Sequence, residues 1–289
     1  MEGLISADRF HSRRPISYSA AKRLVEMPQL KVIQFHDIKP NEATLRVLND
    51  VVFKMRKDIT LRVYGYPDIW ADISFLNLLP DLERFDWDTA LFGSFEPLYK
   101  LNRLVHLGLG FTQPKPKISL KFVSDFKDTL ESLSLEGDYK DILTTIPLLK
   151  NLKILWLIST KVKDFDFLQG LPLETIGNYG SRVESFDFLP NIQSLRKLWI
   201  KTNSKIESID FIEQLTNLED IELQYVAKVT RFPKCEHLKH LKRIFAFECN
   251  RLEDISEVKK LTNCDIHISG KKLEGRHYKF EITCGKPER

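Results

Sequence analysis

The segments VKDFDFL (162–168), VESFDFL (183–189) and IESIDFI (206–212) are one motif written three times, 21 and then 23 residues apart. A repeat constrains a chain more than composition does, because every unit must adopt one local structure and bury its apolar side against its neighbours. From Leu195, apolar residues fall at Leu198, Ile200, Ile206, Ile209, Ile212 and Leu215, with Asn203 between. From Leu218 the same places hold Ile221, Leu223, Val229, Phe232, Cys235 and Leu238, with Val226 in the asparagine place. From Leu241 they hold Ile244, Ala246, Leu252, Ile255 and Val258, with Cys249 in that place. Upstream, Leu152 leads Leu155, Leu157 and Thr160, and Leu173 leads Ile176, Asn178 and Ser181. Earlier units begin near Leu30, Leu82, Leu104 and Leu130, a blurred one reads ITLRVYGY, and a last strand begins near Leu261.

This pattern, L-x-x-L-x-L-x-x-N/C-x-L, resembles the leucine-rich repeat family over roughly residues 24–269, and its short units look most like bacterial, internalin-type repeats. The resemblance implies an α/β solenoid, a curved horseshoe with a parallel sheet on its concave face and 3₁₀ or short helical returns on its convex face. The expected division is an N-terminal helical cap at 1–29, about ten repeats at 30–263, and a last strand with a C-terminal capping hairpin at 264–289. The polar residue at the ninth place can bond the turning backbone, whose N–H and C=O groups otherwise lack partners. Three departures stand out. PNEATLRVLNDVVFKM reads as a helix with Asn41 as N-cap, and QPKPK is an insertion. Asn178 occupies a core leucine place, which predicts a local bulge or a buried, satisfied amide.

Strand side chains alternate, so the residue between two inward leucines faces out. Trp199, between Leu198 and Ile200, is therefore expected on the concave surface. The same reading sends Ile154, Trp156, Ile158, Tyr179, Lys197, Lys201, Glu222, Arg243, Phe245 and Phe247 outward, with Asp220 beside them. Trp156 and Trp199 lie two strands apart, about 10 Å, with Gly177 leaving a notch between them. On the last strand Asp265 falls in the Trp199 column and His267 in the next. Aromatic residues rimmed by charge mark protein-binding surfaces; the competing reading is that these rings pack on one another and fill the hollow.

Chemistry is sparse. His106 is placed beside Asp86 and Asp88, like an acid/base pair, with no Ser or Cys nucleophile beside it by the pattern. Cys235, His237 and His240 are close in sequence, but Cys235 points inward and the histidines outward, so no metal and no cofactor are expected. Cys235, Cys249, Cys264 and Cys284 lack CxxC spacing and read as reduced thiols. The formal charge of +4 sits at the ends: residues 1–60 hold 11 Lys/Arg against 7 Asp/Glu, and 270–289 hold 6 against 3. Nucleic-acid binding through Arg13, Arg14, Lys271 and Lys272 is thus a weaker alternative. The N-terminus shows no signal-peptide run and no stretch reaches membrane-spanning length, which gives a cytoplasmic expectation without membrane association. The sequence reading is a non-enzymatic, bacterial-type protein that binds a protein partner on its concave aromatic patch, as an inhibitor or immunity protein; its oligomeric state is left open, with a monomer favoured. Its alternative is an adaptor or regulatory subunit.

Overall fold

The L-x-L of each unit places two side chains on one side of a short strand, and the structure buries that side throughout. The computed structural model describes residues 3–6, 8–89, 94–110, 118–270 and 280–282, with the backbone alone at 3–6, 67 and 280–282. It divides into two compact units, Met1–Thr145 and Ile146–Arg289.

In the second unit the strands are β8 (Ile154–Ile158), β9 (Thr175–Tyr179), β10 (Lys197–Asn203), β11 (Asp220–Val226), β12 (Arg243–Phe247), β13 (Asp265–Ile268) and β14 (Phe280–Ile282). β8 to β13 pair in sequence order, all parallel, and β14 closes the end antiparallel to β13, as the expected hairpin requires. Residues at equivalent repeat places pair directly: Leu155 with Ile176, Leu198 with Ile221, and Ile221 with Ile244. The returns are 3₁₀ turns at Asp166–Leu168, Leu189–Asn191, Asp210–Gln214 and Val258–Lys260. Their i to i+3 bonds, such as Leu168 N–H to Phe165 O at 2.9 Å, suit segments too short for an α-helix. Phenylalanines of the motif pack in a row: Phe165 and Phe186 have ring centroids 5.1 Å apart, and Phe186 stacks at 5.5 Å on Phe211, which stands two places further along its own motif, after Ile209.

The ninth place behaves as its chemistry requires where it is asparagine. Asn203 Oδ1 accepts from Lys205 N (2.7 Å) and Ile206 N (3.1 Å), and its Nδ2 donates to Val183 O (3.0 Å). The residue before this place turns left-handed in unit after unit: Ser159, Gly180, Thr202, Tyr225 and Glu248 have φ of 53°, 59°, 54°, 52° and 53°. Asn178 makes no bulge, because its pairing with Leu157 and Ile200 is continuous. Its Oδ1 accepts from Ser181 Oγ at 2.5 Å, whereas Nδ2 has no partner among the described residues, so the amide is only half satisfied.

In the first unit the strands are β1 (Gly3–Ser6), β2 (Arg9–Ser12), β3 (Val32–His36), β4 (Thr60–Tyr64), β5 (Arg84–Asp88), β6 (His106–Leu109) and β7 (Ser132–Glu136). β2 to β7 are parallel in sequence order, and β1 pairs antiparallel with β2. The sequence reading saw only a helix before residue 30. It missed β1 and β2 because four-residue strands carry little periodicity, and the inward side of β2 is Phe10 and a buried serine, Ser12. The helix is there, α1 (Tyr18–Val25), with Ser17 Oγ accepting from Ala20 N. Its C-terminal end is closed by Arg56, which donates to Val25 O, Met27 O and Leu30 O at 2.9–3.1 Å while gripping Asp58 with two further N–H groups. α2 (Glu42–Val47) starts at Asn41, whose side chain accepts from Thr44 N, and runs into a wider π-turn at Leu48–Phe53. The blurred unit is held by two buried indoles: Trp70 Nε1 donates to Tyr64 O and Trp87 Nε1 to Trp70 O, both at 2.9 Å. The QPKPK segment lies outside the described residues.

Candidate interaction face

On the outward side of β8–β10 the pairing puts Trp156, Gly177 and Trp199 in one row. Both indoles are half-buried, and their centroids are 4.9 Å apart, edge to face at 66°. The notch expected at Gly177 is therefore not open. The Trp156 ring lies across that glycine and reaches Trp199, so these two aromatics pack on each other and still present a shared surface. Trp199 Nε1 donates to Asp220 Oδ1 at 3.3 Å, which pins one end of the pair. Ile154 and Ile158 flank Trp156 and are half-buried. Tyr179 is 40% exposed, and Lys201 Nζ sits 5.0 Å from its ring centroid, within cation–π range. Lys197 is exposed.

A charged cluster follows on β11 and β12. Arg243 donates to Asp220 Oδ2 and Glu222 Oε2, each at 2.9 Å, and these bonds raise its pKa further. Beyond it lies a second aromatic group. Phe245 stacks on Phe247 at 6.3 Å and on His267 at 5.2 Å. His267 pairs with Phe245 and Asp265 with Arg243, which corrects the sequence reading of the last strand by two residues. Leu261 falls at the place of Leu215 and Leu238, the end of the preceding unit and not the start of a new one, so counting from it misplaced the strand. Tyr225 was missed altogether. It sits at the end of β11 on a left-handed residue, 47% exposed, with its ring edge-on to Phe247 at 5.7 Å. The sequence carried no signal for it, because Ser, Gly, Thr, Tyr and Glu all adopt that turn.

The outward face of the first unit is polar. His106 Nε2 lies 2.7 Å from Asp86 Oδ1, and its Nδ1 lies 2.8 Å from Ser132 Oγ. The expectation that no serine stands near His106 is overturned: Ser132 pairs with His106 across β6 and β7, and its place in the column was overlooked. Asp86 instead of Asp88 is the histidine's partner; Asp88 pairs with Arg62. The Asp–His–Ser order has the connectivity of a proton relay, but a nucleophile must meet its substrate, and Ser132 is only 4% exposed. The three residues tie three strands together.

Cys235, Cys249 and Cys264 are buried free cysteines. Burial pushes the Cys235 thiol up to about 11 and raises Cys249 as well, so the thiolate, the reactive form, is suppressed. His237 and His240 are exposed, and His237 Nε2 lies 2.6 Å from Glu213 O. Among the described residues no group of three or more His, Cys, Asp or Glu could hold a metal ion, and no helix is long and apolar enough to cross a membrane. Cys284, Lys271 and Lys272 lie outside the described residues.

No family model matches the sequence, and no curated protein matches it. Solved structures do. An internalin, InlF, from Listeria monocytogenes superposes with a TM-score of 0.52 at 18% identity, over 91% of this chain and 81% of that one. Internalin C2 from the same organism gives 0.46 at 18% identity over 88% and 93%. A leucine-rich repeat protein from Leptospira interrogans gives 0.40 at 17% identity over 86% and 74%. One parallel strand per unit, a left-handed turn at the end of each of β8 to β12, 3₁₀ returns and the likeness to InlF together make this a chain of the leucine-rich-repeat fold.

Proposed function

We propose that this chain is a non-enzymatic binding module that takes a protein partner on the outward face of β8–β13, with Trp156 and Trp199 as anchors. The observation that carries this reading is the edge-to-face indole pair, half-buried and rimmed by Lys197, Lys201, Glu222 and Arg243. Tryptophan dominates interface hot spots because it offers a large rigid surface with little entropy to lose. A pair already packed on its own sheet is preorganised, which lowers the cost of binding further. Ile154, Ile158, Tyr179, Phe245 and Phe247 extend the apolar contact to either side. We take the biological effect to be occlusion of the partner, as an inhibitor or immunity protein would achieve. Three buried free thiols suit a reducing, cytoplasmic setting.

The test is Trp199→Ala. Capture from native lysate would identify the partner by mass spectrometry, and calorimetry would then measure its affinity. A central Trp truncated in an interface costs ≥2 kcal/mol, about thirtyfold in Kd. The aromatic pair contributes about 1 kcal/mol to folding, so the variant should stay folded. Glu136→Ala in the first unit should bind normally. Full-strength binding by Trp199→Ala would sink the proposal.

A further inference from the structure

A cavity of about 180 Å³ opens where β2 and β3 end and α2 begins. Phe35, Ile38 and Pro40 supply apolar wall, and Arg13, Arg14 and Lys39 supply three cations. Phe35 is a buried core ring and gives the cavity a fixed floor. Lys39 is partly neutralised, its Nζ bonding Asp72 O at 3.0 Å and Asp72 Oδ2 at 3.5 Å. The side chains of Arg13 and Arg14 have no ion pair or hydrogen bond among the described residues, and both residues are exposed. The nearby field is positive: His11 is held below its ordinary pKa, first by burial and then by Arg13 and His36. Unpaired guanidinium groups above an apolar floor match a ligand with one anionic end and one apolar end, since guanidinium binds phosphate and carboxylate oxygens two at a time. The volume is sufficient for a ring, because an apolar cavity of about 150 Å³ accepts benzene.

We propose that this cavity is a binding site for a small organic anion, an aryl or alkyl group carrying a phosphate or carboxylate. Such a group can be a free small molecule or the side chain of a phosphorylated peptide, and both present the same chemistry to Arg13 and Arg14. It is separate from the indole face of the second unit and does not depend on it.

The test is a titration of the ¹⁵N-labelled whole chain with phenyl phosphate, following the Arg Nε–H signals. Saturable binding is expected with Kd of about 1 mM or tighter. Arg13→Gln/Arg14→Gln should weaken it at least tenfold while leaving the remaining spectrum in place. Ile38→Ser should weaken phenyl phosphate but not inorganic phosphate, because only the former uses the wall. A short phosphotyrosine peptide binding more tightly than phenyl phosphate would assign the site to a peptide; weaker binding would assign it to a free anion. The proposal is overturned if the shifts do not saturate, if the double variant responds like the parent, or if phenol binds as well as phenyl phosphate.

Discussion

The indole of Trp156 lies on the bare α-carbon of Gly177: a Cβ built there would stand 2.0 Å from Cε3 and 2.3 Å from Cζ3 of that ring. The glycine has no left-handed conformation to justify it, so its reason is this contact. Gly177→Ala should therefore leave the strand intact and push Trp156 off Trp199. The near-UV circular dichroism of the coupled indoles should collapse, with a stability loss of about 1 kcal/mol. An unchanged spectrum would show that the rings do not touch in solution.

Asn203 is buried, and both ends of its amide are bonded to backbone. Asn203→Ala leaves two amide N–H groups and one carbonyl without that partner. Each unpaired buried group costs about 1–3 kcal/mol, and part of this is recovered by water at the unit edge. A net loss of about 2–3 kcal/mol is expected from urea unfolding. A loss below about 0.5 kcal/mol would show that the turn needs no side-chain bond, as the Val226 unit manages without one.

Thr202 is β-branched, exposed and left-handed at φ 54°, where the preceding unit has Gly180 at 59°. Left-handed backbone costs a side-chain-bearing residue about 1–2 kcal/mol, and glycine gives back about 0.5–1 through the entropy of the unfolded chain. Thr202→Gly should raise the unfolding free energy by about 0.5–1 kcal/mol. A lower melting temperature would contradict the backbone assignment.

Hydrogen bonds from Arg56, joined by Lys31, hold the Asp58 carboxyl well below the usual range, although partial burial opposes them. Its folded pKa is therefore lower than its unfolded one. The stabilisation is complete above about pH 4, the unfolded value, and is lost as pH falls toward the depressed folded value. The gap in urea midpoint between the parent and Asp58→Asn should be constant from pH 7 to 5 and narrow steadily below pH 4. A gap that widens toward acid would reverse the sign and refute the pairing.

Much of this was written in the order of residues. Leu198, Ile200 and Asn203 recur at fixed distances, and a periodic pattern reports which side a strand buries whatever the neighbours are. The outward aim of Trp199 followed from alternation alone. So did Ser132, had its place in the His106 column been filled in. The closed notch at Gly177 was not legible, because the Trp156 rotamer depends on what the next strand omits. Tyr225 depended on a backbone torsion that no residue type at that place requires, since Ser, Gly, Thr, Tyr and Glu all adopt it. The hairpin of β1 and β2 was hidden by its brevity.

By itself the sequence determined the unit, its inward side and the bonded turn, because each of these is decided within about 22 residues by side-chain alternation and local hydrogen bonding. Only the tertiary structure decided the indole pair, the Asp86–His106–Ser132 tie and the cavity beneath Arg13 and Arg14. Each of those joins side chains from separate strands or segments, and stacking alone fixes which rotamers meet and how closely.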